Sequence, residues 1–408
     1  MLDLVLVECP NFALESPKMY MPLGNLYLSA VAKQAGYEVH IADFRERIGV
    51  LPEAKYYGFS CTTPQIGIAK GLAKGVKGKT IVGGAHPSLL PKDCIDSFDH
   101  VVVGEGEEVL LDILRGEFLK VIYSTRNKDL DSIPFPDWDG VGEPFSNSLY
   151  TGERYGLGDL SMAVITSRGC PYNCSFCGNI YCSPVIFRSV GNIISELMEL
   201  MKRGVNHYRF VDDNFTLHPD LKGLCRELSR YNLKYRCHTR SNLMSPIIAE
   251  WLKSSGCEEC CLGIESADDS VLKLNKKHET VAQHKEAIQI LKKAGLRTKL
   301  YWMSGLPGET DKSIELNMQF MKELKPEKWT LSTFTPYPGC EIFNNPKNFG
   351  VTITNHNWDN WWNFVFNVGN KQFEGREGYV HIFDGQTPEE MKARHDRFYH
   401  YLLQEEWK

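Results

Sequence analysis

The sequence lacks the hydrophobic excess of a membrane-embedded protein: its mean hydropathy is -0.31, which predicts a soluble chain. It also lacks a surplus of positive charge. Lys and Arg number 46 against 51 Asp and Glu, a formal charge of -5, so no global basic field recruits nucleic acid and partners must be sought in local sites. No charged leader or cleavage site follows Met1, and the 13 cysteines are an odd number in a long chain, so a secreted disulfide scaffold is not expected. Reduced thiols in a cytoplasm are the expectation. What is present is an ordinary globular composition, 42% hydrophobic, 11% aromatic and 24% charged, over 408 residues. At roughly 150 residues per domain that length predicts two to three domains.

Leu2 to Val7 is a short apolar run closed by Cys9, Pro10 and Asn11, a buried strand followed by a loop. Apolar positions at Leu23, Leu26, Tyr27, Ala30, Val31 and Ala35 keep a helical period that stops at Gly36, before an extended run from Tyr37 to Ala42. Further strands are predicted at Tyr56 to Ser60, Thr80 to Val82 and His100 to Val103, with Ile66 to Lys77 helical. Only Phe44 to Ala54 joins the second and third strands, so one crossover helix is missing. The pattern predicts a Rossmann-like, doubly wound parallel sheet over 1–120, with its ligand side at the loops after the strand carboxyl ends. From Val121 to about Tyr155, Pro134, Pro136, Gly140, Gly142 and Pro144 accumulate, which reads as a linker over 121–157.

Beyond it, strands at Met162 to Thr166, Tyr208 to Val211, Tyr235 to His238, Cys260 to Ile264, Lys299 to Met303 and Thr330 to Thr335 alternate with helices at Val190 to Lys202, Leu221 to Tyr231, Pro246 to Ser254, Val281 to Ala294 and Asp311 to Glu323. Six βα repeats over 158–339 predict a partial (β/α)6 barrel, open on one side, and the fold class is α/β. After Pro338-Gly339 the rhythm fails. Trp358, Trp361, Trp362 and Phe364, then a charged helix from Pro388 to Leu403, are read as a small C-terminal cap over 340–408 whose tryptophans form its core or a substrate wall.

Directly after the first barrel strand comes Ser167-Arg168-Gly169-Cys170-Pro171-Tyr172-Asn173-Cys174-Ser175-Phe176-Cys177. Three thiolates on one tight loop can hold three irons of a 4Fe-4S cluster and leave the fourth open, whereas zinc would demand a fourth ligand nearby. Cys170, Cys174 and Cys177 are therefore the candidate metal ligands and the catalytic centre. Their spacing, with three and then two intervening residues, resembles the signature of the radical S-adenosylmethionine (SAM) superfamily, over roughly Gly158 to Gly339. The resemblance implies that SAM chelates the open iron and is cleaved by one electron to a 5'-deoxyadenosyl radical that abstracts a hydrogen atom. It implies that Phe176 packs near the adenine and that Asp212 and Asp213 face the SAM amino group or ribose. It also implies that Arg240 pairs with the SAM carboxylate, that Glu265 and Ser266 bind the ribose, and that Leu306, in Ser304-Gly305-Leu306-Pro307-Gly308-Glu309, lines the adenine side. Structural roles stay open for the same residues: Asp212 and Asp213 as helix caps, Arg240 in a surface ion pair, Gly305 and Gly308 in a turn.

The N-terminal half is similar to the cobalamin-binding domain of a large radical SAM subfamily. The matching words are Pro22-Leu23-Gly24-Asn25-Leu26-Tyr27-Leu28, Ser60-Cys61-Thr62-Thr63, Gly83-Gly84-Ala85-His86-Pro87 and Gly104-Glu105-Gly106-Glu107. The resemblance implies a corrin and its nucleotide tail held by Pro10, Asn11, Leu23, Gly24, Ser60, Cys61, Thr62, Thr63, Gln65, Gly83, Gly84, His86, Gly104, Glu105, Gly106 and Glu107. Glycines after strands let backbone approach a bulky planar ligand. The Asp-x-His-x-x-Gly motif that supplies a cobalt ligand elsewhere is absent. In this subfamily that implies a displaced base, the Thr62 to Gln65 loop against the lower corrin face, and His86 on the tail or backbone.

Cys257, Cys260 and Cys261 open the fourth barrel strand, where alternation aims Cys260 and Cys261 to opposite faces; they are read as buried structural thiols, with an auxiliary cluster as the alternative. Joined together, the two resemblances imply a cobalamin-dependent radical SAM C-methyltransferase, with a 4Fe-4S cluster, SAM and cobalamin as cofactors. Ferredoxin or flavodoxin is the expected electron donor, and the expected compartment is an anaerobic cytoplasm without membrane or nucleic-acid partners. A carbon radical must meet its methyl donor before it is quenched, so the cofactors are expected to converge on one enclosed substrate. The 68 residues after position 340 leave little to wrap a large natural product, so a peptide substrate is expected, by resemblance a glutamine of methyl-coenzyme M reductase. Methylation of a phosphonate, an antibiotic precursor or a lipid, and cobalamin-dependent cyclisation or rearrangement, share the same motifs. A methylthiotransferase would need a second three-cysteine site where this chain has only Cys9, Cys61 and Cys94, and a non-catalytic cobalamin sensor would have no use for Cys170, Cys174 and Cys177.

Overall fold

The computed structural model describes residues 1–11, 21–116, 119–141, 161–178, 180, 183–362, 365–366, 379–383 and 385–404. Gly142, Pro144 and the rest of the expected linker to position 157 lie outside them, as does Phe364. The chain divides into two compact units, one of Met1–Ala163, Ser195–Val205 and Asn357–Trp361, the other of Val164–Ile194, Asn206–His356 and Trp362–Lys408.

The first unit is built on β1 (Leu2–Glu8), β2 (Val39–Asp43), β3 (Ala54–Ser60), β4 (Lys79–Gly83), β5 (His100–Val103) and β6 (Val121–Tyr123), in the order β2-β1-β3-β4-β5-β6. All five pairings are parallel. The direction of winding reverses between β1 and β3, the position where open α/β sheets bind ligands beyond the strand ends. Helices α1 (Leu23–Gln34), α2 (Ile66–Ala73), α3 (Ala85–Leu89), α4 (Pro91–Cys94) and α5 (Glu107–Leu114) make the connections, and no helix lies between β2 and β3, in agreement with the short Phe44 to Ala54 segment. One expectation is corrected: Val121–Tyr123 is the sixth strand, not the start of the linker. Its short Val-Ile-Tyr run registers Val101 to Val121 and Val103 to Tyr123, pairing too brief to show as periodicity.

The second sheet contains β7 (Ser161–Val164), β10 (His207–Phe210), β11 (Lys234–Thr239), β12 (Cys257–Glu265), β13 (Arg297–Ser304) and β14 (Lys328–Thr333), while β8 (Ser167–Arg168) and β9 (Ile186–Phe187) form a separate antiparallel pair. Strands β10 to β14 run parallel in sequence order. They alternate with α6 (Val190–Lys202), α7 (Leu221–Leu228), α8 (Pro246–Ser254), the unanticipated α9 (Asp269–Leu274), α10 (Val281–Lys293) and α11 (Asp311–Leu324). Local chemistry sets the helix starts: Asp220, Ser245, Thr280 and Thr310 each accept a backbone N–H from the first turn. In β11 and β13 every second residue is buried and the others are half-exposed, so one face packs on helices and the other lines an accessible concavity.

The last segment does not form a third compact unit. β15 (Val351–Ile353) pairs with β17 (His381–Phe383), and β16 (Val365–Phe366) adds antiparallel to β14. Ile342 of α12 (Glu341–Asn344), Phe349, Val351, Phe383 and Met391 share one core with Leu306 and Phe334. Helix α13 (Pro388–Gln404) lies along α11 through Arg397 to Glu315 at 3.1 Å and Tyr401 Oη to the Met318 carbonyl at 3.1 Å. Trp358 and Trp361 instead belong to the first unit: Trp361 is fully buried, and Trp358 packs on its core and against the His86 ring. Among the described residues no helix is long and apolar enough to cross a membrane.

Trp302 ties the second sheet to its helices, edge-on to Phe320 of α11 and Phe398 of α13. Trp302→Ala should cost about 3–5 kcal/mol of stability, read as a fall in the denaturation midpoint.

Candidate functional site

Gly169, with φ at 107°, turns the chain out of β8 into the three-cysteine loop. The loop is pinned at its middle, where Ser175 N–H donates to the Asn275 carbonyl at 3.1 Å and the Ser175 carbonyl accepts from Ile342 N–H at 3.1 Å. Cys177 N–H donates to the Cys174 carbonyl at 3.0 Å. Cys170 and Cys174 are half-buried and Cys177 is exposed, so the thiols face an accessible space. Two donors from neighbouring strand ends point at the sulfurs: Asn214 Nδ2 lies 3.3 Å from Cys170 Sγ, and Arg240 Nη1 lies 3.4 Å from Cys174 Sγ. Donors of this kind favour thiolates, the ligand form for iron, so the residues fit a cluster held by three sulfurs. The Cys170 thiol itself is pushed above its ordinary value, first by burial, with the nearby Asp213 adding to the effect.

Arg240, expected to meet a carboxylate of SAM, is buried and already engaged within the chain. Its guanidinium forms an ion pair with Glu279 at 3.1 Å, bonds the Lys277 carbonyl and stacks 3.9 Å from the Tyr172 ring centre. Lys277 Nζ in turn lies 3.3 Å from both Glu279 and Glu265. Glu265, Lys277, Glu279 and Arg240 thus make a buried chain of alternating charge that ends at the Cys174 sulfur. Glu265 adopts φ +63° after a register shift in β12, a conformation that non-glycine residues rarely hold without tertiary support. Ser266, next to it, caps the Asp268 N–H at 3.2 Å. Neither Glu279 nor Lys277 was singled out from the sequence, because they lie beyond α9, far along the chain from Arg240.

The two aspartates separate. Asp212 is buried; its Oδ1 accepts from Thr166 N–H, Thr166 Oγ1 and Ser167 Oγ at 2.8–2.9 Å, while Oδ2 has no partner among the described residues. Burial pushes its carboxyl above the ordinary value. Asp213 is exposed, and neither caps a helix, since Asp220 caps α7. Phe176 packs, half-buried, against the apolar cluster that contains Leu306.

In the first unit the strand-end loops present a floor of small residues. Gly24 lies with its absent Cβ 3.9 Å from Ser60 Oγ, and Gly84, at φ +96°, is so close to Cys61 that a Cβ would meet its backbone N at 2.8 Å. Ser88 Oγ bridges two glycine loops, donating to the Gly84 carbonyl at 2.7 Å and accepting from Gly104 N–H at 3.0 Å. Thr62 and Gly24 are exposed, and Asn11, Leu23, Ser60, Gly83, Gly84, Gly104, Gly106 and Glu107 are half-exposed, a surface fit for a flat ligand.

Several expected binders instead hold this floor in place. The His86 ring is fully buried, with Nδ1 3.3 Å from Thr63 Oγ1 and Nε2 3.0 Å from Asp93, so it does not reach a ligand tail. Gln65 is buried, accepting from Thr62 and donating to the Cys9 and Pro10 carbonyls. Glu105 is buried and accepts from Asn127 N–H at 2.7 Å. Pro10, Cys61 and Thr63 are buried too. Each is polar or small in a loop after a strand, which sequence reading cannot tell from a ligand contact.

Among the described residues the remaining cysteines are interior. Cys9, Cys61 and Cys94, scattered in sequence, meet in the first core. In β12 a register shift leaves Glu258 unmatched, so Cys257 and Cys260 share the helix-side face with sulfurs 3.8 Å apart, beside Cys237. Cys261 takes the opposite face, as alternation requires.

Comparison with known proteins identifies two matching families: the Radical SAM superfamily over residues 164–321 and the B12 binding domain over residues 13–114. An uncharacterized methyltransferase of Pyrococcus horikoshii is 28% identical, over 79% of this chain and 77% of its own. Bacteriochlorophyllide d C-12(1)-methyltransferase of Chlorobaculum tepidum is 24% identical, over 90% of this chain and 82% of its own. The fold matches that of the radical SAM methyltransferase TsrM from Kitasatospora setae, solved with cobalamin and a 4Fe-4S cluster, with a TM-score of 0.64 at 17% identity over 84% of this chain and 77% of that one.

Gly84→Val should lower cobalamin occupancy of the reconstituted protein at least tenfold while leaving iron content unchanged. Full corrinoid absorbance in that variant would contradict the placement of the Gly83-Gly84 loop.

Proposed function

Because the chain belongs to the cobalamin-dependent radical SAM methyltransferase superfamily, we propose that it moves a methyl group from SAM, by way of cobalamin, onto an unactivated sp3 carbon. When bound, the cluster, SAM and cobalamin together supply hydrogen-atom abstraction and the methyl group. The observation that carries the reading is the half-exposed three-thiol loop with Asn214 and Arg240 aimed at two of its sulfurs.

In this reading Cys170, Cys174 and Cys177 ligate three irons. Arg240 and Asn214 offset negative charge on sulfur, and the Glu265-Lys277-Glu279 chain fixes Arg240 so that little reorganisation is needed when SAM enters. Asp212, buried and held through Oδ1 by Thr166 and Ser167, steadies the end of the first barrel strand beside the cysteine loop. Phe176 and Leu306 offer an apolar wall to the adenine, and the glycine floor of the first unit takes the corrin. Ferredoxin or flavodoxin is the proposed electron donor.

A small molecule is the favoured methyl acceptor, since the named relative acts on bacteriochlorophyllide d. The narrower assignment to a glutamine of methyl-coenzyme M reductase is the peptide member of the same reaction class. Anaerobic turnover with methyl-labelled SAM and a low-potential reductant tests both, against a chlorophyllide-type tetrapyrrole and a glutamine-containing peptide. Label on carbon in either product, with 5'-deoxyadenosine formed alongside, is the expected result. A cyclised or rearranged product without label would contradict methyl transfer.

A further inference from the structure

The concave face of the second sheet carries a layer of charge that begins two residues before Arg240, with His238 on β11. The registers place Arg236 beside Glu259, and His238 beside Cys261, Lys299 and Lys328. Their neighbours in sequence point to the helices: Tyr235 Oη bonds Ser255 Oγ at the end of α8 at 2.6 Å, and Trp329 packs on Tyr399 of α13. Lys299, His238 and Tyr301 are half-buried, so solvent reaches the layer.

Its charges do not balance around the one acid they share. Lys328 Nζ lies 2.8 Å from Glu259 Oε2 and Arg236 Nη1 lies 3.9 Å from Oε1. Burial pushes the Glu259 carboxyl up, but Lys328, Arg236 and Lys299 outweigh it and hold the group below its ordinary value. Lys299 has no carboxylate partner among the described residues; its ammonium sits 5.3 Å from the Tyr301 ring centre. Tyr301 Oη is 3.1 Å from His238 Nε2. His238 is pushed down to about 4 by burial first and then by Arg236 and Lys299, so at neutral pH it is an uncharged imidazole in a cationic field. A purely structural layer would pair its cations, because an uncompensated charge in a half-enclosed concavity is costly.

We propose that this layer is an oxyanion subsite that seats a carboxylate or phosphate group of the methyl acceptor on Lys299, with Arg236, His238 and Tyr301 beside it. The assignment rests on the methyltransferase reading for the identity of the ligand as substrate. It narrows the acceptor to molecules that carry an anionic group. Lys299 sits five residues before Ser304 at the end of β13, and a strand advances about 3.3 Å per residue, so roughly 17 Å separates Lys299 from that strand end.

Calorimetric titration of the full chain at low ionic strength, with inorganic phosphate and with succinate as separate probes, tests the subsite without turnover. Saturable binding of one probe is expected, and the tighter one distinguishes phosphate from carboxylate recognition. Lys299→Gln should weaken that binding at least tenfold and Lys299→Arg should retain it, with iron and corrinoid content equal in all three proteins. No saturable binding of either probe to the unsubstituted chain, or binding unchanged by Lys299→Gln, overturns the proposal. Loss of the methyltransferase reading would show differently, as missing cofactor in every protein whatever the anion titration gives.

Discussion

Three thiolate ligands on one loop need their negative charge met by fixed donors, and that constraint organises the second unit. Arg240 supplies one such donor from the end of β11, and Asn214 another from the end of β10. A buried guanidinium needs its own carboxylate, which Glu279 provides. Lys277 then balances Glu279 and reaches Glu265, whose left-handed backbone at the end of β12 is held by that bond. Sheet order does the rest, because parallel neighbours β10 to β12 bring their carboxyl ends to one rim.

The first unit solves a different problem, an open surface for a broad ligand made by removing side chains. Glycines after β4 and β5 keep the loops low, and Ser88 ties two of them together. Polar residues beneath, His86 with Thr63 and Asp93 and Gln65 with two carbonyls, fix the loops from within. Trp358, contributed from late in the chain, buttresses the same turn by packing on His86.

Local signals were legible in the sequence and long-range ones were not. The cysteine loop is compact and its spacing is specific, so Cys170, Cys174 and Cys177 could be named at once, and the βα rhythm placed most strands and helices by their period. The missing crossover helix was legible from length alone. The Arg240 partners were not, because Glu279 lies 39 positions on and nothing local marks it. Nor was the convergence of Cys237 with Cys257 and Cys260, which depends on a bulge at Glu258 that simple alternation does not contain. His86, Gln65 and Glu105 show the opposite error: polar residues in loops after strands look like ligand contacts, and burial turns them into supports. The C-terminal segment misled for a third reason, since its apolar residues complete cores begun earlier in the chain, Trp358 in the first unit and Ile342 to Met391 beside Leu306 and Phe334.

The central claim is that one chain holds two cofactors, a cluster on the cysteine loop and a corrin on the glycine floor. Its most direct test is anaerobic reconstitution with iron, sulfide, SAM and cobalamin, followed by metal and corrinoid counts per chain. About four irons, four sulfides and one corrinoid are predicted. Iron with no corrinoid would contradict the claim and leave the first unit with another task.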